Sequence, residues 1–371
     1  MHPKQPTFVY DIKRSWEKVV QEGPIWLSKK YPPLPKEKKY SFLGQKLISP
    51  IAISAGPASG KKWTDFYLKM GFGFVLEKTR RTIERKAHEI PNVAIIQEKG
   101  QVTRSNINKT LTATKSASDF KKYMSITNSF GNPSPRLDVW ARELVKQRKG
   151  VSAGQLLGCS LTATFFGGET TTDVVADLLK AGTEAARAGV QVVEFNLACP
   201  NVTDNKEEGE MFQDAKLVAL TLKEFKKKFP KVKAGFKFGL YKNKGQMKKV
   251  LRAADKNLDY VSGINAIAMT VLGKNGKEIL PGRKTSGVCG KLIADIALEE
   301  IRWADQIRRE EKLKYEILGG GGIVEVEDVD RYLKAGADMV QIATIAMVDP
   351  LFAYKYYLHN KYRLHKLGQL T

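Results

Sequence analysis

The chain has 371 residues, 42% of them hydrophobic, and a formal net charge of +23. It contains no apolar run near the ~18–20 residues that a membrane-spanning helix needs, and no secretory leader follows Met1-His2-Pro3-Lys4. Its cysteines, Cys159, Cys199 and Cys289, are far apart and form no CxxC pair, which argues against a disulfide framework, a zinc site or an iron–sulfur cluster and for a reducing, cytoplasmic setting.

Residues 1–40 read as an N-terminal extension, with Phe8, Tyr10, Trp16, Trp26 and Tyr31 among lysines and prolines. The stretch Tyr31-Pro32-Pro33-Leu34-Pro35 excludes regular helix. Trp16 and Trp26 are expected to pack on the domain that follows, over 41–371, and a peripheral membrane contact stays open. From there short apolar runs alternate with helical stretches. Strands are predicted at 51–54, 73–78, 153–158, 191–196, 232–238, 259–265, 315–319 and 338–342. Helices are predicted at 62–69, 172–189, 210–229, 245–256, 291–309 and 326–335, with another after the last strand. Residues 79–150 break the rhythm as an insertion of loops and hairpins after the second strand, and a long loop follows the sixth. Eight apolar strands separated by helices predict an α/β fold, a TIM-type (β/α)₈ barrel. A doubly wound sheet is disfavoured because no GxGxxG follows the first strand.

The lysines are spread along the chain on helix faces such as Lys223, Lys226, Lys227, Lys228 and Lys231. The charge therefore reads as solvated surface that also steers anionic substrates, and no nucleic-acid partner is expected.

Barrels of this kind carry their chemistry at the C-terminal ends of the strands. The fourth strand ends in Phe195-Asn196-Leu197-Ala198-Cys199-Pro200-Asn201, two carboxamides flanking a thiol. Amides donate and accept, which suits a planar imide ligand, and a thiol can serve as a base. Lys237 lies within the fifth strand and needs a negative partner such as a reduced flavin. Lys78 ends the second strand beside Arg80 and Arg81, where it has either the same role or simple exposure. Asn265 ends the sixth strand, ahead of Ala266. The insertion holds Asn128-Ser129-Phe130-Gly131-Asn132-Pro133, a tight loop that presents backbone groups. The seventh strand runs into Gly319-Gly320-Gly321-Gly322 and the eighth into Ala343-Thr344, the usual phosphate position of the architecture. None of His2, His88, His359 and His365 ends a predicted strand, and no cluster suggests a metal.

Over roughly residues 40–355 these motifs resemble the dihydroorotate dehydrogenase family. Asn196-Leu197-Ala198-Cys199-Pro200-Asn201 looks like that family's N-x-S-C/S-P-N active loop. The resemblance implies that Cys199 is the catalytic base and that Lys237 is the lysine stabilising a reduced flavin. It implies a dihydropyrimidine held by Lys78, Asn128, Ser129, Phe130, Gly131, Asn132, Asn196, Asn201, Asn265 and Ala266. It implies FMN held by Ala55, Gly56, Lys78, Thr79, Asn196, Lys237, Ile264, Gly287, Gly290, Gly321, Gly322, Ala343 and Thr344, with Gly287 and Gly290 in a glycine turn. Residues 197–209 would close over the substrate. A homodimer is the expected assembly. A cysteine base marks the soluble class, whereas Met70-Gly71-Phe72-Gly73-Phe74 and an N-terminal extension look like the quinone-using class, so the electron acceptor stays open. Ala198, Ala266 and Gly131-Asn132-Pro133-Ser134 depart from the family pattern, so another dihydropyrimidine is the alternative substrate. Two further alternatives are a flavoenzyme resembling the dihydrouridine synthases, acting on tRNA, and a non-catalytic flavin- or phosphate-binding barrel.

Overall fold

The computed structural model describes residues 5–199 and 209–366. The N-terminal segment packs directly onto the main body. Phe8, Val9, Tyr10, Ile12, Trp16 and Val19 are buried, Val9 N–H donates to the Met347 carbonyl at 2.7 Å, and Trp63 Nε1 donates to the Val19 carbonyl at 3.0 Å. Trp26 meets Phe66 edge-on at 6.2 Å. Trp16, buried with its Nε1 donating to Ser59 Oγ at 3.2 Å, and Trp26 therefore both lie against the protein.

A hairpin absent from the sequence reading follows, β1 (Tyr40–Phe42) and β2 (Gln45–Leu47). The chain then forms β3 (Ile51–Ile53), β4 (Phe74–Arg80), β5 (Val93–Ile96), β6 (Leu111–Thr114), β7 (Ser125–Asn128), β8 (Leu156–Leu161) and β9 (Val192–Asn196). It continues with β10 (Lys233–Lys237), β11 (Tyr260–Gly263), β12 (Ile267–Gly273), β13 (Thr285–Gly290), β14 (Glu316–Gly320) and β15 (Met339–Ile342). Eight of these close a parallel barrel in the order β3-β4-β8-β9-β10-β11-β14-β15, as the alternation of strands and helices predicts. Helices Lys61–Lys69, Leu137–Arg148, Thr171–Arg187, Ala215–Lys228, Lys244–Ala254, Ala294–Glu310, Val326–Lys334 and Phe352–Lys366 follow the strands.

Several predicted boundaries move for identifiable reasons. The third barrel strand starts at Leu156 rather than 153, because Gly154 takes φ +89° in a turn before the apolar run begins. Helix Ala215–Lys228 starts later than 210, where the Asp214 carboxylate accepts from Lys216 N–H and Leu217 N–H. Residues 79–150 are not wholly an insertion: β4 continues to Arg80, and Leu137–Arg148 is the missing barrel helix. The predicted loop after the sixth strand contains β12 and β13, which join β7, β5 and β6 in a second, five-stranded closed sheet. Gly287 and Gly290 thus lie in strand β13, paired with Asn128 and Ser125, rather than in a turn.

Side chains alternate across a strand, and this sets a polarity gradient inside the barrel. Phe74 and Leu76 precede Lys78 on β4, and Val192 precedes Glu194 and Asn196 on β9. The lower interior is apolar: Phe74, Leu76, Leu156, Val192, Tyr260, Leu318 and Met339 form one cluster, closed from below by Phe42, Leu43 and Leu47 of the hairpin. Gly235 of β10 is required in this layer, since a Cβ there would lie 2.2 Å from the Tyr260 carbonyl oxygen. Outward residues meet the helices instead, as Phe195 meets Phe225 at 5.5 Å.

Candidate active site

The polar ends of the strands open into a cleft of about 810 Å³. Its wall includes Ala55, Gly56, Lys78, Asn128, Phe130, Asn132, Asn196, Cys199, Asn265, Ala266, Ala343 and Thr344. It continues into an arm of about 480 Å³ lined by Ile264, Gly290, Gly321, Gly322, Ala343 and Thr344. Residues from both ends of the sequence thus converge on one hollow. Thr79, Ser129, Gly131, Lys237 and Gly287 are not among the residues lining either part. Asn201, with most of the proposed closing segment, lies outside the described residues.

Lys237 sits next to the cleft through Ser54, which lines both parts. Its ammonium donates to Ser54 Oγ at 3.0 Å and lies 3.2 Å from Glu194 Oε1. The side chains are 3% and 0% exposed, so this is a buried ion pair. The lysine's negative partner is therefore a protein carboxylate, which the sequence reading overlooked within Val192-Val193-Glu194-Phe195. Glu194 also accepts from Ser160 Oγ at 2.9 Å and Ser262 Oγ at 2.5 Å. Ser160 in turn meets Thr79 Oγ1 at 3.2 Å, and Thr79 Oγ1 accepts from Asn196 Nδ2 at 2.9 Å. With Ser160 donating to Glu194, the Thr79 hydroxyl donates to Ser160. One directed network thus fixes the amide of Asn196, whose oxygen accepts from Asn265 Nδ2 at 3.3 Å. Asn265 Nδ2 also donates to the Ala198 carbonyl at 2.6 Å, tying the end of β11 to the Cys199 loop.

Lys78 is 7% exposed, Arg80 1% and Arg81 0%, so the basic run is buried rather than solvated. Arg80 pairs with Glu77. Arg81 donates to the Ala163 carbonyl at 2.6 Å and the Asn132 carbonyl at 3.3 Å. Burial lowers Lys78 to about 8, with Arg80, Lys237 and Arg81 adding repulsion and the neighbouring Cys199 opposing them. Cys199 is buried at the cleft. Burial pushes Cys289 up to about 12 against a hydrogen bond from Asn128 Nδ2 at 3.2 Å, and it pushes Cys159 up as well.

Sequence reasoning also missed Tyr10, Trp16, Ser54, Cys289 and Gln341 as lining residues. Ser54, Cys289 and Gln341 lie inside or beside the strings that drew attention. Tyr10 and Trp16 carry no local signal, because only the fold brings the extension to the cleft. Among the described residues there is no group of three His, Cys, Asp or Glu side chains placed to hold a metal, and no helix is long and apolar enough to cross a membrane.

The donor set fits FMN. A Cβ on Gly56 would meet only Ala343 Cβ, at 3.9 Å, which leaves room above the backbone for a flat ring. Gln341 Oε1 is buried without a partner beside the narrower arm, an acceptor available to a ring N–H. At the far end the Gly321-Gly322 turn, with φ +110° and +84°, and the Thr344 hydroxyl suit a phosphate.

Fold and cleft together define a (β/α)₈ barrel whose site lies at the C-terminal ends of its strands. A family model described as dihydroorotate dehydrogenase matches residues 114–356. A dihydroorotate dehydrogenase of Dictyostelium discoideum is 33% identical over 95% of this chain and 97% of its own length. The catalytic subunit of the NAD(+) dihydroorotate dehydrogenase B of Lachnoclostridium phytofermentans is 30% identical over 43% of this chain and 51% of its own. A crystal structure of the Eimeria tenella DHODH in complex with ferulenol shares the fold, with a TM-score of 0.71 over 95% of this chain and 90% of that one, at 16% identity. The chain belongs to the dihydroorotate dehydrogenase family and is an oxidoreductase.

Proposed function

We propose that this chain oxidises dihydroorotate to orotate, the step its relatives perform in pyrimidine biosynthesis, with FMN in the cleft and Cys199 as the base. The observation that carries this reading is the convergence of Cys199, Lys78 and the carboxamides of Asn128, Asn132, Asn196 and Asn265 on one hollow that continues to Gly321, Gly322 and Thr344. FMN, held by Gly56, Gln341, Gly321, Gly322 and Thr344, supplies the two-electron acceptor. Cys199 removes the proton from the ring carbon next to the carbonyl, and the carboxamides of Asn128, Asn196 and Asn265 hold the ring's imide edge. Lys237 keeps a positive charge beside the floor, steadied by Glu194. The family assignment favours this reading over a tRNA-directed enzyme or a binding module.

Anaerobic bleaching of the flavin by dihydroorotate, with dihydrouracil and dihydrothymine as comparisons, tests it; a protein that refuses FMN, or whose flavin dihydroorotate leaves yellow, would refute it. Reoxidation by fumarate, NAD(+) or a quinone then identifies the acceptor.

Lys78 gives a pH signature. Its folded-state value of about 8 means that its charge is present below pH 8 and lost above it. The KM for an anionic substrate is therefore expected to climb above pH ~8, roughly 10-fold per lost unit-charge contact worth ~1.4 kcal/mol. Lys78→Arg keeps its charge at all these pH values and should remove that rise. A KM flat from pH 7 to 9.5 in the unaltered protein would show that Lys78 does not face the substrate.

A further inference from the structure

Asn132 stands in an unusual position. It takes φ +49° directly after Gly131 at +75°, so two consecutive residues are left-handed. Asparagine tolerates this better than most residues with a Cβ. The conformation is held from outside the loop. The fully buried Arg81 donates to the Asn132 carbonyl at 3.3 Å, and Arg81 N–H donates to Ser134 Oγ at 3.1 Å. Ser134 and Arg85 exchange backbone hydrogen bonds at 2.8 and 2.9 Å. The side chain is thereby fixed at the cleft wall beside Lys78 and Cys199.

The amide's orientation follows from its neighbour. Lys78 Nζ donates to Asn132 Oδ1 at 3.4 Å. An ammonium has donors and no acceptor, so the oxygen must face Lys78 and the NH₂ must face away. That NH₂ has no hydrogen-bond partner, although the residue is only 5% exposed. A buried donor left unsatisfied is costly. Beside a cation and at a ligand cleft, the group that would satisfy it is an anionic oxygen.

We propose that Asn132 is a specificity-determining residue that selects carboxylate-bearing dihydropyrimidines, its NH₂ and the Lys78 ammonium together binding the substrate carboxylate. The inference rests on the function proposed above and adds to it the contact that separates dihydroorotate from dihydrouracil and dihydrothymine. Lys78 supplies the charge and also sets the amide. Asn132 supplies direction, because its donors are fixed by an anchored backbone.

The test uses the FMN-loaded full chain and two variants. Asn132→Gly keeps the left-handed backbone and deletes the amide. Asn132→Asp keeps the shape and the Lys78 contact but replaces the donors with an acceptor. Orotate binding by calorimetry should weaken about 5- to 100-fold in both, a range set by the usual size of a lost charge-assisted hydrogen bond. The KM for dihydroorotate in anaerobic flavin reduction should rise in parallel, with kcat changed by less than about 3-fold, as for an interaction made equally in ground and transition states. Uracil binding and reduction by dihydrouracil should not weaken. Wild-type orotate affinity in both variants, or an equal loss for orotate and uracil, would overturn the assignment. An unaltered protein that neither binds orotate nor is reduced by dihydroorotate would overturn the proposed function and this inference with it.

Discussion

Replacing Cys199 by alanine is expected to lower the turnover of dihydroorotate by about 10²- to 10⁴-fold while FMN binding persists. The expectation rests on what the neighbouring groups can and cannot do. Among the described residues lining the cleft, the thiols are Cys199 and Cys289. Cys289 is pushed up to about 12 by burial, so at pH 7–9 it stays protonated and is no substitute base. Lys78, at about 8, is largely an ammonium at neutral pH and cannot accept a proton there. The carboxamides of Asn128, Asn196 and Asn265 are not bases at any ordinary pH. Removing Sγ therefore leaves the substrate positioned with no base among the described lining residues to receive its proton. Rapid-mixing measurement of flavin reduction should show the loss in the reductive half-reaction, with orotate affinity within a few-fold of the original. Undiminished reduction in Cys199→Ala would mean that another group, or solvent, takes the proton.

The sequence made the barrel and most of the cleft legible because both follow local rules. Eight apolar runs at strand length gave the parallel closure, and polar residues ending those runs, such as Asn196, Asn265 and Lys78, are the ones found at the cleft. What stayed hidden depends on contacts between segments far apart in the chain. The strands β12 and β13 look like loop because their partners are β6, at 111–114, and β7, at 125–128. The burial of the basic run Lys78, Arg80 and Arg81 stays hidden because the acceptors that hold Arg81, the Asn132 and Ala163 carbonyls, lie far away in the chain. The helix Leu137–Arg148 is hidden in the sequence by the irregular stretch around it, within 79–150. Asn132 is conspicuous in the sequence for its place in a motif, while the reason for its orientation, the ammonium of Lys78, is visible only in three dimensions.

Glu194 shows the same limit with the largest consequence for stability. Glu194→Ala is expected to destabilise the fold by about 3–5 kcal/mol, the usual result of stripping one partner from a buried ion pair. Both members are shielded, at 0% and 3% side-chain exposure, so solvent does little to screen Lys237 once the carboxylate is gone. The hydroxyls of Ser160 and Ser262 lose their acceptor as well, and the chain of donors through Thr79 to Asn196 loses its terminus. Urea unfolding should show the loss as a lower midpoint at similar slope. The double variant Glu194→Leu/Lys237→Met should recover most of the loss, since an apolar pair of similar volume carries no desolvation cost. If Glu194→Ala costs no more than the ~0.5 kcal/mol of a surface substitution, or if the double variant is no more stable than Glu194→Ala alone, then Glu194 does not neutralise Lys237. The charge beside the cleft floor would then need another counterpart.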